Sequence, residues 1–144
     1  MSGVTDCYQP IERRLKVTRK CLQVLAEFRN PVAIVTKNLL VTRDIDLLAD
    51  LARDNAAAVI LSVTPLNADL ARILEPRTAQ PPARLRAIKE LSNAGVPVGV
   101  LVSPVIPGLT DHEMPAIVKA AAEAGARFAG MTPLRLPFAV KDLF

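Results

Sequence analysis

The sequence predicts an α/β fold: a partial, TIM-like parallel (β/α) barrel of about four to five strands with outer helices, forming a single unit over residues 1–144. Two observations carry this. Short β-branched runs such as VAIVT at 32–36 and AAVILSV at 57–63 alternate with helical stretches, a rhythm that implies parallel strands joined by right-handed crossovers. The composition agrees. It is 51% hydrophobic but only 3% aromatic, which suits helices laid over a sheet of small and β-branched residues.

Taken in order, the first element is a helix over 10–28, opened by Pro10 and stopped by Asn30-Pro31. Its apolar positions are Ile11, Leu15, Leu22 and Leu25. Strand 32–36 follows. Helix 43–54 places Ile45, Leu48 and Leu51 on one face and Asp44, Asp46 and Asp50 off it, with Asn55 as its stop. Strand 57–63 is continuously apolar, as a strand covered on both faces should be. A short helix at 67–74 leads into EPRTAQPPARL, whose Pro-rich piece 76–82 is either a functional loop or an ordinary connection. Helix 81–94 ends at Gly95, and strand 97–103 follows. The next helix runs to 124 and stops at Gly125. Its start is open: Thr110-x-x-Glu113 has capping-box spacing, yet Pro115 lacks the N–H that a helix begun at Asp111 would use. The last strand is 127–132, and Gly3-Val4-Thr5 reads as the tail of a further strand.

The net charge is +4, with much of the excess in Arg13, Arg14, Lys16, Arg19 and Lys20 of the first helix. These lie mostly off its apolar stripe. A solvated face is the favoured reading and nucleic-acid contact the sharper one. The absence of Trp and the single Tyr, Tyr8, leave little for base stacking. Cys7 and Cys21 have no CxxC or CxxxCxxC spacing, so the chain has no cluster or zinc motif and two free thiols are expected. No apolar run approaches the roughly 20 residues needed to span a bilayer. No secretory signal pattern opens the chain, so a cytoplasmic location is expected.

Val96 to Glu113, VPVGVLVSPVIPGLTDHE, is a buried strand running into a turn with Pro104, Pro107 and Gly108. That arrangement puts backbone groups, Ser103 and Glu113 at the strand's C-terminal mouth, where parallel α/β folds bind ligands.

The ordered motifs TDCYQPIE (5–12), IVTKN (34–38), LSVT (61–64), LEPRTAQPPARL (74–85) and SPVIPGLTDHE (103–113) together resemble radical S-adenosylmethionine proteins of the spore photoproduct lyase-like group. The resemblance covers essentially the whole chain. It implies a (β/α)6 partial barrel, a [4Fe-4S] cluster held by a CxxxCxxC loop, and reductive cleavage of S-adenosylmethionine. The 5′-deoxyadenosyl radical so formed abstracts hydrogen from substrate, and the group's name-giving member repairs a thymine photodimer in DNA. The chain departs from the pattern because the cluster loop and first strand are missing. It is expected to be a fragment or a truncated reading frame, inactive alone.

The resemblance and the residues together nominate a site. Lys37, after strand 32–36, is a cation for the carboxylate of S-adenosylmethionine, or else a solvated loop lysine. Ser62, late in an apolar strand, offers a hydroxyl to the ligand, or is a small core residue. Arg77 is placed for a carboxylate or phosphate, or is a surface arginine. Ser103 to Gly108 is the adenine-side turn, in which Gly108 permits close approach, or a turn needing Gly and Pro for shape alone. Glu113 is expected to buttress that turn. Tyr8, with Asp6 and Gln9, is a radical-relay or stacking residue, or part of a helix-entry turn. His112 has no visible catalytic partner and is expected in a loop or first turn.

Two other classes compete. A half-barrel with open sheet edges can act as a non-enzymatic module that pairs as a homo-oligomer. A half-barrel enzyme for a phosphorylated metabolite should carry a glycine-rich loop after a late strand, where only isolated Gly108, Gly125 and Gly130 occur.

Overall fold

The computed structural model describes residues 1 and 5–143. Its centre is a four-stranded sheet in the order β1 (Val32–Thr36), β2 (Ala57–Ser62), β3 (Val98–Val105), β4 (Phe128–Pro133), with every neighbouring pair parallel. The helices are α1 (Glu12–Leu15), α2 (Val17–Glu27), α3 (Ile45–Arg53), α4 (Ala68–Leu74), α5 (Pro81–Asn93) and α6 (Met114–Glu123). A parallel sheet with helical crossovers is the α/β architecture of a partial TIM-like barrel, as the alternating pattern requires. The expected strand tail at Gly3-Val4-Thr5 lies mostly outside the described residues. Met1 runs beside β1, its ammonium donating to the Ala33 carbonyl.

The sheet alternates with a period of two. Val32, Ile34, Val59, Leu61, Val98 and Val100 are buried under Leu22, Leu48, Leu51, Ile88, Leu91 and Ile117 of the helices. Each such buried Val, Leu or Ile contributes about 1.5–3 kcal/mol. On the opposite face Ala33 is exposed, and Val35, Ala58, Ile60 and Leu101 are half-buried. The run 57–63 is therefore fully covered on one face only, because the four described strands form an open sheet in which β4 does not pair with β1. β4 is exposed along its whole length, with Phe128 and Met131 among the exposed apolar side chains.

Four helix exits share one device. Arg29, Asn55, Gly95 and Gly125 take positive φ (51°, 56°, 80° and 104°). The next amide returns to the helix: Asn30 to Leu25, Ala56 to Leu51, Val96 to Leu91 and Ala126 to Ala121, at 2.9–3.1 Å. These left-handed caps satisfy carbonyls that would otherwise be orphaned. The stops expected at Asn55, Gly95 and Gly125 are found there.

Two expectations are corrected. The helix over 10–28 is broken at Lys16, whose φ is 53°. Glu12 turns inward, accepts from the Thr18 amide (3.0 Å) and pairs with Arg43, so the first turn presents Ile11 and Leu15 to solvent at 45% and 47% exposure. Only Leu22, and Leu25 in part, keep the expected apolar stripe. At the sixth helix Thr110 does not cap. Its hydroxyl accepts from the Ile106 amide (2.8 Å), a 3-10 turn occupies Asp111–Glu113, and the regular helix starts at Met114, which leaves Pro115 in the first turn where no N–H is missed.

Candidate functional site at the strand mouths

The C-terminal ends of β1, β2 and β3 form one mouth, and two carboxylates organise it. Asp6 reaches across the end of β1 and accepts from the Thr36 hydroxyl (2.7 and 2.9 Å), the Lys37 amide (2.8 Å) and the Tyr8 amide (2.8 Å). These bonds fix the 6–8 segment above the strand. Glu75, just past α4, takes Lys37 Nζ on Oε1 and Arg84 Nη2 on Oε2 (2.5 Å). The Thr64 hydroxyl sits between Glu75 (3.1 Å) and the Ser103 carbonyl (2.9 Å), which ties the loop after β2 to β3. Burial pushes the Glu75 carboxyl up. The Lys37 hydrogen bond and the charges of Arg84 and Lys37 outweigh that and hold it below the usual carboxylate range.

Arg84 is the largest fully buried side chain. Its guanidinium also donates to the carbonyls of Ala79 (2.6 Å) and Ser62 (2.9 Å) and to the Thr78 hydroxyl (2.5 Å). It thus fastens the 75–79 loop to the end of β2. A charge at this depth persists only with such partners.

A cavity of about 450 Å³ opens here, lined by Asp6, Gln9, Lys37, Asn38, Arg77 and Thr78. That size is within the range of small-molecule sites, roughly 300–1,000 Å³. An adjoining hollow of about 260 Å³ shares Asn38 and Arg77 and adds Arg13. Of the nominated residues, Lys37 and Arg77 meet at the main cavity. Lys37 is half-buried and held by Glu75, whereas Arg77 is exposed.

Tyr8 borders the same cavity, but its ring is wholly buried. Its hydroxyl donates to Asp44 (3.1 Å), and Arg43 lies 5.8 Å from the ring centroid. Burial, followed by the Asp44 charge, pushes the phenol pKa far up. Asp44, expected off the buried face, is completely buried. It takes Arg43 on both oxygens (2.9 and 2.7 Å) and Arg19 (3.0 Å). Arg19, which also pairs with Asp46, therefore leaves the solvated basic face.

Ser62, Ser103 and Gly108 do not line the cavity. Ser62 is buried beneath the mouth and uses its carbonyl on Arg84. Ser103 is half-buried and precedes the cis bond to Pro104. Gly108 is exposed with φ 75°, and nothing of the chain lies within 4 Å of a Cβ built there, so its backbone conformation is what demands glycine. Glu113 does not brace the 103–108 turn as expected. It accepts from the amides of Leu66 (2.6 Å) and Asn67 (3.1 Å), while the Asn67 side chain caps α4. His112 lies exposed in the 3-10 turn.

The cysteines do not suit an iron-sulfur cluster. Cys7 is half-buried and its thiol is pushed up to about 11 by burial and then by Asp6, while Cys21 is exposed. Among the described residues no group of three or more His, Cys, Asp or Glu is arranged to hold a metal ion. Among them, too, no helix is long and apolar enough to cross a membrane.

Reading the sequence missed Glu75 and Arg84 as a pair. A signal was present: Arg84 lies four and seven residues before Ile88 and Leu91, on the stripe that faces the core.

Comparison with known proteins places this geometry in context. The model of the radical SAM superfamily matches residues 1–121. An uncharacterised protein of Mycobacterium tuberculosis is 36% identical over 107 residues, covering 74% of this chain and 32% of that protein. An uncharacterised protein of Methanocaldococcus jannaschii is 34% identical over 113 residues, covering 78% of this chain and 42% of its own length. One from Acidianus two-tailed virus is 33% identical over 107 residues, 74% of this chain and 34% of its own. The chain thus spans about a third to two-fifths of these relatives.

Proposed function

Because this chain belongs to the radical SAM superfamily, we propose that it forms the S-adenosylmethionine-binding wall of a radical SAM enzyme related to spore photoproduct lyase. The observation that carries this is the cavity at the strand mouths, where Lys37 and Arg77 present cations beside the backbone-fixing Asp6. Superfamily members use S-adenosylmethionine with a [4Fe-4S] cluster. Such a cluster, held by residues other than those of this chain, would be the electron source for cleaving S-adenosylmethionine. This chain's two cysteines do not furnish the thiolates, so the cluster ligands come from the rest of the whole protein and the isolated chain is inactive. The chain as a whole is one part of a (β/α)6 partial barrel.

Lys37 and Arg77 would orient the amino-acid end of S-adenosylmethionine. Ser62, Ser103 and Gly108 would shape the wall on its adenosine side. Tyr8, with its hydroxyl committed to Asp44, would support the site from below rather than carry the radical.

The test adds a CxxxCxxC-bearing segment from an active radical SAM enzyme to this chain, reconstitutes iron and sulfide without oxygen, and assays 5′-deoxyadenosine under reduction. Production that falls when Lys37→Ala is introduced supports the reading. No 5′-deoxyadenosine above a cluster-free blank overturns it.

A DNA substrate is part of this reading. Arg13, Arg14, Lys16 and Lys20 stay exposed and, among the described residues, have no ion-pair partner. Binding of duplex DNA that weakens steeply with salt is expected. A second reading, a homo-oligomer, is favoured by the exposure of β4. Sedimentation of a monomer at micromolar concentration would count against it.

A further inference from the structure

We infer that Arg84 is a positioning residue for the ligand at the strand mouths: by neutralising Glu75 from inside the protein, it leaves the charge of Lys37 available to an anionic group in the cavity. The inference rests on the cosubstrate reading above, in which that group is the carboxylate of S-adenosylmethionine.

Three charges carry the argument. Glu75 is one carboxylate shared by two cations, Lys37 on one oxygen and Arg84 on the other. The two cations differ in access. The Arg84 side chain has 0% exposure and Lys37 has 29%. Four of the five guanidinium N–H groups of Arg84 are taken by Ala79, Ser62, Thr78 and Glu75, and the side chain is buried and does not line the cavity, so it does not touch a ligand there. Its part at the cavity is to offset the Glu75 charge that Lys37 would otherwise meet alone. If Arg84 were absent, Glu75 and Lys37 would cancel as a simple pair. With it, the trio carries one net positive charge, and the accessible member is Lys37. Asp6 also faces the cavity and keeps its negative charge while accepting from the Thr36 hydroxyl and the Lys37 and Tyr8 amides, but Arg77, the second cation of the lining, offsets it, so the mouth as a whole still carries one net positive charge. In a cavity that is only partly open to water, one net charge a few ångströms from an anion is worth about tenfold in affinity.

The experiment uses this chain in equilibrium dialysis with three probes: S-adenosylmethionine, 5′-methylthioadenosine, which lacks the carboxylate, and inorganic phosphate. Arg84→Met should weaken S-adenosylmethionine about tenfold and leave 5′-methylthioadenosine unchanged. Arg84→Met with Glu75→Gln should return S-adenosylmethionine to near the parent affinity, although it removes still more hydrogen bonds. A merely structural Arg84 predicts the reverse, with the double variant at least as weak as the single. Equal weakening of both nucleosides, or no rescue, overturns the inference. Should Arg84→Met fail to fold by circular dichroism, Glu75→Gln alone decides. It should tighten S-adenosylmethionine several-fold, and an unchanged or weaker affinity overturns the inference. If the parent chain binds phosphate in an Arg84-dependent way but not S-adenosylmethionine, the charge device stands and the cosubstrate reading fails. If it binds none of the probes, both fail.

Discussion

Arg84 reaches from the first turn of α5 to Glu75 at 2.5 Å, joining a fully buried guanidinium to the carboxylate that also holds Lys37. The contact ties the packing of the crossover helix to the electrostatics of the mouth. It also gives the mouth a pH signature. The Glu75 carboxyl is held below its ordinary value of 4.5, so the folded state binds its proton less readily than the unfolded state. Its contribution to stability is therefore fully present above the unfolded value and is lost as pH falls through the folded one. Urea midpoints measured from pH 6 down to pH 3 should decline more steeply in the parent than in Glu75→Gln. Parallel curves would show that Glu75 is not coupled to folding.

Asp44 is a fully buried carboxylate, and through the Tyr8 hydroxyl it holds the 6–8 segment that lines the cavity. Asp44→Asn removes one partner from a buried cluster with Arg43, Arg19 and Tyr8 and should cost about 3–5 kcal/mol by urea denaturation. Tyr8→Phe removes one hydrogen bond and should cost about 1 kcal/mol. The supporting role proposed for Tyr8 predicts that Tyr8→Phe keeps its affinity for S-adenosylmethionine. A loss of turnover in the reconstituted whole protein at unchanged binding would restore the radical-relay assignment instead.

Much of this architecture was legible from spacing alone. The strand at 32–36, the strand read at 57–63 and found at Ala57–Ser62, and the stops at Asn55, Gly95 and Gly125 follow from β-branched runs and from residues that tolerate positive φ. The mouth was legible as a place, because parallel strands deliver their C-terminal ends together. What periodicity did not reveal was the inward turn of charge. Glu12, Asp44 and Arg84 are polar residues whose partners lie 22 to 36 positions away in their longest-range contacts, and no local pattern shows such a pairing. The same blindness explains the first helix. Leu15 reads as core until Glu12 is seen to take the inward position and Lys16 to break the turn.

Glu113 links two loops of the mouth. Its carboxylate accepts the Leu66 and Asn67 amides just before α4, the helix that leads into Glu75. Glu113→Ala should leave these two amides without their acceptor and cost about 1–3 kcal/mol. Hydrogen exchange should locate the effect, with faster exchange over 65–75 than over the β1 and β2 core. Uniform acceleration across the sheet would mean that Glu113 supports the whole fold rather than this loop.

Gly125 tests the helix-exit device on the far side of the sheet, away from the cavity residues. Its φ of 104° is unfavourable for any residue with a side chain, and an added Cβ would lie 2.4 Å from the Ser92 hydroxyl oxygen and 2.7 Å from its Cβ. Gly125→Ala should therefore destabilise by about 2 kcal/mol, combining left-handed strain with the clash. Adding Ser92→Gly removes both clashing atoms but not the strain, so the double variant should recover only the clash component. Full recovery would assign the cost to packing against α5. No recovery would assign it to backbone conformation, and in either case affinity for S-adenosylmethionine should stay at the parent value because neither residue lines the mouth.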